Sequence, residues 1–124
     1  MMITPHRGEI YWVDFKTGTG VEIRGRRPAL IIQNDVGNQV SRSTIAAAIT
    51  TNPKVARLPI GVRISTKESG LSQESVVNLA HVYTIDKARL LERAGQLSSK
   101  AMRRVEEALL VSMGMKAYRL PSDA

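Results

Sequence analysis

With 124 residues, 43% of them hydrophobic, the chain is long enough to bury one core as a single domain over residues 1–124 and too apolar to stay disordered. Eighteen Lys and Arg against eleven Asp and Glu leave a formal charge of +7, which draws polyanions. The lack of cysteine excludes a disulfide framework, a thiolate nucleophile and a cysteine-ligated zinc site, and no apolar run reaches membrane-spanning length.

The N-terminal MMITPHRGEIYWV lacks the apolar block and cleavage site of a signal peptide, so a cytoplasmic protein without membrane association is expected. EIYWVDF (9–15), aromatic and β-branched after Gly8, reads as a first strand. KTGTGVEIRGRRP (16–28) has three glycines, a proline and no hydrophobic period, which makes it a long mobile connection. ALIIQN (29–34) is a short continuous apolar run, as in a strand buried on both faces. DVGNQVSRS is a turn-rich break, and TIAAAIT (44–50) is a third strand whose alanines favour close packing. LPIGVRIS reads as a half-exposed strand with Ile60, Val62 and Ile64 on one side. ESGLSQE is a loop, and SVVNLAHVYTI (75–85) is a fifth strand. DKARLLERAGQL fits a helical turn over 86–91 followed by a short strand. Ser98 is placed to cap a terminal helix with Met102, Val105, Leu109 and Met113 on one face and Gly114 as its stop. Strands first and one long helix last favour a mainly β fold, a curled, largely antiparallel barrel with the helix packed on it.

Walker, HExxH and GxSxG patterns are absent, and the GTG at 18–20 is too short for a dinucleotide fingerprint. His6 and His81 are the only imidazoles; an acid–base pair on a phosphodiester is conceivable, but a packing role for His81 and an irregular start for His6 are the better readings. The remaining constellation is basic: Lys16, Arg24, Arg26 and Arg27 face only Glu22 within 16–28. Arginine offers a planar donor fork suited to phosphate oxygens, and Pro28 holds Arg27 extended at the mouth of a buried strand. Arginines before an apolar strand also keep a sheet edge soluble, and for Arg24 and Arg26 that reading weighs equally.

The blocks RGEIYWVDF, GVE, RRPALIIQND, AAAITTN, SVVNLAHVYTIDKARL and GQLS, in that order, resemble the MazF/PemK family of toxin endoribonucleases from toxin–antitoxin modules. The resemblance runs from about Arg7 to Leu109. It implies a small SH3-like β-barrel with a C-terminal helix, shared with CcdB-type toxins, acting as a homodimer and silenced by a cognate antitoxin. It also implies cleavage of single-stranded RNA at short sequences, without metal or other cofactor, by attack of the ribose 2′-hydroxyl on the adjacent phosphate. Carried onto this chain, the catalytic positions are Arg27, Thr50 and the loop acid Glu22. Arg27 would hold the phosphate, Thr50 would donate a hydroxyl hydrogen bond, and Glu22 would accept a proton or orient Arg27. Lys16, Arg24, Arg26 and Thr51 are the RNA-binding positions expected beside them.

The chain departs from the family pattern in three respects. Ile23 stands where relatives carry Gln after the loop acid. Asn78 and Ala80 stand where some members place a catalytic Arg and Asp, so that variant of the mechanism cannot operate unchanged. Tyr83 replaces an arginine before TID, where it serves stacking or, more simply, core or dimer packing. Two other functions fit the same fold: a CcdB-type gyrase poison without nuclease activity, and a basic RNA-binding barrel without catalysis.

Overall fold

The computed structural model describes residues 2–15 and 25–118. Six strands form: β1 (Glu9–Asp14), β2 (Arg26–Ile31), β3 (Ser43–Thr50), β4 (Gly61–Ile64), β5 (Ser75–Asp86) and β6 (Leu90–Gln96). Three helices accompany them: α1 (Asp35–Val40), α2 (Thr66–Ser69) and α3 (Ser99–Ser112). Every strand pair is antiparallel, in the order β4-β5-β3-β2-β1-β6. The barrel expected from the sequence is therefore an open sheet, because among the described residues β4 and β6 end it without pairing to each other. Register shifts in the β1–β6 ladder, and a larger one where Ala47 faces Val82 but Ala48 faces Asn78, supply bends in the sheet.

The side-chain period of two sorts the apolar residues onto the two faces. Ile10, Leu30, Ala47, Ile49, Val77 and Leu79 meet Ala101, Met102, Val105 and Ala108 of α3. Tyr11, Val13, Ala29, Ile31, Ala46 and Ile85 form a second cluster. β2 contributes Leu30 to the first and Ala29 and Ile31 to the second, which is why its sequence is a continuous apolar run. β2 begins at Arg26, three residues before the sequence suggested: Arg26, Arg27 and Pro28 pair with Asp14, Val13 and Trp12. Pro28 is tolerated because β2 pairs with β3 only from Ala29 onward, so the missing N–H is not needed there.

Local polar groups decide the pieces that the apolar pattern leaves blank. The stretch read as a turn-rich break contains α1, capped by Asn34, whose Oδ1 accepts from the Gly37 N–H at 2.8 Å. Asn38 is buried there; its Oδ1 accepts from Thr44 Oγ1 at 2.7 Å and its Nδ2 donates to the Gln33 carbonyl at 3.0 Å. The buried Lys87 ammonium donates to the Asn38 carbonyl, so the QND and TIDK segments meet in one network. The expected helical turn after Asp86 is a short 3-10 turn, Lys87–Arg89, before β6. In α3, capped by Ser98 as expected, the buried stripe is Ala101, Met102, Val105 and Ala108, with Leu109 half-buried. Met113 is 55% exposed because the helix ends at Ser112; Gly114 follows with φ 74°. No helix among the described residues is long and apolar enough to cross a membrane.

One close approach ties the sheet's β6 edge to the segment before β5. α2 carries a capping box, Ser65 with Glu68, and ends at Gly70 in the left-handed conformation, φ 73°. A Cβ on Gly70 would lie 1.9 Å from the Ala94 carbonyl oxygen, and one on Gly95 would lie 2.2 Å from that of Ser69. Gly70→Ala should therefore lose more than the backbone cost of about 1–2 kcal/mol for a left-handed non-glycine residue. Gly114→Ala, at φ 74° in open space, should lose that cost only. Urea denaturation of the two variants checks this, with the lower midpoint expected for Gly70→Ala.

Candidate active site

An open cavity of about 460 Å³ lies where the ends of β2 and β3 meet the segment leading into β5. Arg26, Arg27, Thr50 and Thr51 line it, over a floor that includes Trp12, Ile49 and Leu71, with Ser72 and Gln73 also in its lining. Four of the sequence-predicted positions are thus brought together. Lys16, Glu22 and Arg24, with Ile23, lie outside the described residues.

The ladder sets the geometry. Ala29 faces Ala48 and Ile31 faces Ala46, and the same register continued by two residues sets Arg27 across from Thr50 on one face of the sheet. On its other side Arg27 faces Val13. The Arg27 side chain is exposed and makes no hydrogen bond or ion pair among the described residues. Thr50 ends β3, where its Oγ1 accepts from the Asn52 N–H at 3.1 Å. That bond fixes the hydroxyl oxygen and leaves its proton free to donate outward. Asn52 in turn caps the 3-10 turn Pro53–Arg57 through its Oδ1 to Lys54 N–H, 3.0 Å. A planar cation and a hydroxyl donor on adjacent strands suit one oxyanion group bound between them.

Arg26 behaves differently. Its guanidinium lies 5.9 Å from the Trp12 ring centroid and pairs with Glu92 of β6, both side chains being more than half exposed. Such a surface pair contributes about 0–1 kcal/mol, so it parks the charge beside the cavity without locking it there.

Of the positions that depart from the family pattern, Asn78, Ala80 and Tyr83 lie among the described residues. Asn78 is buried in β5 between Ala48 of β3 and Gly61 of β4, and its Oδ1 accepts from the Ala80 N–H at 3.0 Å. It folds the irregular step of β5 onto itself, and neither Asn78 nor Ala80 lines the cavity. Tyr83 packs edge-on against Phe15, ring centroids 5.6 Å apart, and burial pushes its phenol pKa up. Neither histidine lines the cavity: His6 sits 3.8 Å from the buried Glu9 carboxylate, and His81 lies in the irregular part of β5. Among the described residues no three His, Asp or Glu side chains gather as a metal site.

Sequence reasoning missed Trp12, Leu71, Ser72, Gln73 and Glu92. Trp12 carried a signal, since it lies on the same strand as Asp14, which faces Arg26. The others come from segments 44 or more positions away from Arg27 and Arg26, and only the fold brings them near.

Fold and cavity together define a small antiparallel β protein with an arginine and a hydroxyl lining one open cavity. The chain belongs to the PemK-like, MazF-like toxins of type II toxin–antitoxin systems, a family that matches residues 6–113. It is 41% identical over 109 residues to Endoribonuclease EndoA of Bacillus subtilis, covering 88% of this chain and 94% of that protein. Crystalline MazF from Deinococcus radiodurans superposes with a TM-score of 0.75 at 26% identity, over 91% of this chain and 99% of that one. An endoribonuclease in complex with its cognate antitoxin from Mycobacterial species shares the fold, TM-score 0.77 at 24% identity, over 92% and 99% of the two chains.

If Glu92 restrains Arg26, Glu92→Gln should tighten binding of a short single-stranded oligonucleotide used as a polyanionic probe. The slope of log K against log salt should steepen by about 0.7, the value for one further phosphate contact on a single strand. Fluorescence anisotropy across a salt series measures both, and unchanged slopes would leave Arg26 in its Trp12 stack with no part in binding.

Proposed function

We propose that the protein is a toxin endoribonuclease that cuts single-stranded RNA through a 2′-hydroxyl attack and is neutralised by a cognate antitoxin. The observation that carries this reading is that Arg27 and Thr50, at the neighbouring ends of β2 and β3, line one open cavity, the arginine being free of any protein partner among the described residues. The family supports it, as does the endoribonuclease activity named for the 41% identical relative.

RNA brings its own nucleophile, held beside the phosphate it attacks, so the protein need only align it and neutralise charge. The 2′-oxygen forms a bond to phosphorus and loses its proton; the bond from phosphorus to the 5′-oxygen breaks, and that oxygen takes up a proton. Arg27 holds a non-bridging oxygen with its donor fork and stabilises the charge that builds on the pentacoordinate phosphorus. Thr50 donates its hydroxyl to the same group. Glu22 of the β1–β2 connection accepts the 2′-proton or orients Arg27. Lys16, Arg24, Arg26 and Thr51 hold the neighbouring backbone. No metal enters the reaction. With Asn78 and Ala80 in β5 instead of charged groups, catalysis rests on β2, β3 and the first connection.

The antitoxin follows from the same charge. A basic, open site is blocked by an acidic segment studded with apolar residues that folds as it binds. Structural neighbours include complexes named MazE–MazF from Deinococcus radiodurans and a Mycobacterial endoribonuclease with its antitoxin. The working form is a cytoplasmic homodimer, placed where its RNA substrate is found.

Two tests bear on this reading. Arg27→Ala should lower cleavage by roughly 10²–10³-fold with the fold intact by circular dichroism, and Arg27→Lys should recover little, since the fork is lost. Thr50→Ser should retain most activity and Thr50→Val little; near wild-type rates for Arg27→Ala or Thr50→Val would remove that residue from the site. On the substrate side, products should carry a 2′,3′-cyclic phosphate and a 5′-hydroxyl, in excess chelator as well as without it. A single deoxyribose 5′ to the cut should stop cleavage while leaving binding nearly unchanged. Cutting of the deoxy strand, or a 5′-phosphate product, would overturn the 2′-hydroxyl mechanism.

A further inference from the structure

The segment 70–75 between α2 and β5 is built as a rigid support. Gly70 sits hard against β6, with no room for a side chain beside the Ala94 carbonyl. Leu71 is buried in the main core, and its N–H donates to Ser69 Oγ at 3.0 Å. At the other end, the buried Ser75 donates its Oγ–H to the Gln73 carbonyl at 2.9 Å before β5 begins. Both ends are therefore fastened, and the two residues between Leu71 and Glu74, Ser72 and Gln73, are exposed.

Those two residues line the same cavity as Arg27 and Thr50. Neither side chain makes a hydrogen bond among the described residues. A polar side chain on a fastened backbone, unpartnered, and facing the site where a phosphodiester is held can discriminate what flanks that phosphate. The rest of the lining is suited to other work: Arg26, Arg27, Thr50 and Thr51 present cationic or hydroxyl donors, and Trp12, Ile49 and Leu71 are apolar. The Gln73 carboxamide alone combines, on one plane, an acceptor and a two-proton donor.

We propose that Gln73 is a specificity-determining residue that reads the edge of one base next to the scissile phosphate, with the Ser72 hydroxyl beside it. This rests on the endoribonuclease reading above. The carboxamide matches a base edge that presents a donor next to an acceptor, as adenine does with N6–H and N7 or N1, cytosine with N4–H and N3, guanine with N1–H and O6, and uracil with N3–H and O4. It cannot offer the two donors that guanine O6 and N7 accept from arginine.

The experiment is cleavage of a randomised RNA pool by the full-length wild type, Gln73→Ala and Gln73→Arg, with the ends sequenced and rates measured on single-site oligonucleotides differing only at the position in question. The wild type should favour one base over the other three at one position beside the cut. In Gln73→Ala the rates for the four bases at that position should converge, by roughly 5–150-fold, the equivalent of about 1–3 kcal/mol for one bidentate base contact. The other positions of the recognised sequence should keep their preferences. Gln73→Arg should move the preference at that position toward guanine. A uniform fall in rate with every base preference unchanged would overturn the inference and leave the endoribonuclease reading standing. A wild type that cuts RNA with no base preference beside the cut would overturn the inference. A wild-type protein that cuts no RNA in the pool would overturn the endoribonuclease reading, and this inference with it.

Discussion

In the ladder around β2, Val13 stands opposite Arg27 on one side and Ala48 stands opposite Ala29 on the other. A slip of one residue would turn Arg27 to the opposite face and bring Ala29 and Ile31 out of the cluster they share with Val13 and Ala46. The apolar alternation around Leu30 forbids that slip, because Leu30 belongs to the core beneath α3. Burial of three aliphatic residues thus determines the direction in which a guanidinium points. Every later feature of the site, the facing threonine included, depends on this register.

Charge is arranged around that fixed point in two different ways. Arg27 is left without a protein partner among the described residues, whereas Arg26 lies near Trp12 and pairs with Glu92. Because β2 alternates, consecutive arginines occupy opposite faces of one strand, and their surroundings differ accordingly. One cation has no protein partner among the described residues and the other is paired at little energetic cost. Thr50 completes the arrangement through a turn: accepting from Asn52 N–H spends one lone pair and keeps the hydroxyl proton available. The lining is held by the backbone and by strand ends, which preorganises its donors.

The wall facing these donors is made by packing. Gly70 and Gly95 allow the α2 segment to touch β6 at distances no side chain would permit, and Leu71 anchors it in the core. The same segment therefore has buried ends and an exposed middle. Core and site share one construction: the residues that hold the sheet together also hold Ser72 and Gln73 in the lining of the cavity.

The sequence alone determined the strands, because alternation and continuous apolar runs are local consequences of which faces must be buried, and it placed the Ser98 cap and the Gly114 stop on α3. It also marked Arg27 and Thr50 as a pair, through blocks of residues whose order resembles one family. It did not show that β2 starts at Arg26, since whether two arginines join a strand depends on Asp14 and Val13 being there to pair with them. It could not show α1, a six-residue helix that rests on Asn34 and on contacts with Thr44 and Lys87, nor that the terminal helix would bury its alanines in preference to Met113. Only the tertiary structure decided that the sheet stays open, that Glu92 reaches Arg26 from 66 positions away, and that Ser72 and Gln73 share a cavity with Arg27. The physical reason is one of range: periodicity and capping act over a few residues, whereas register, edge closure and ion pairs between distant segments depend on which surfaces meet once the chain has folded.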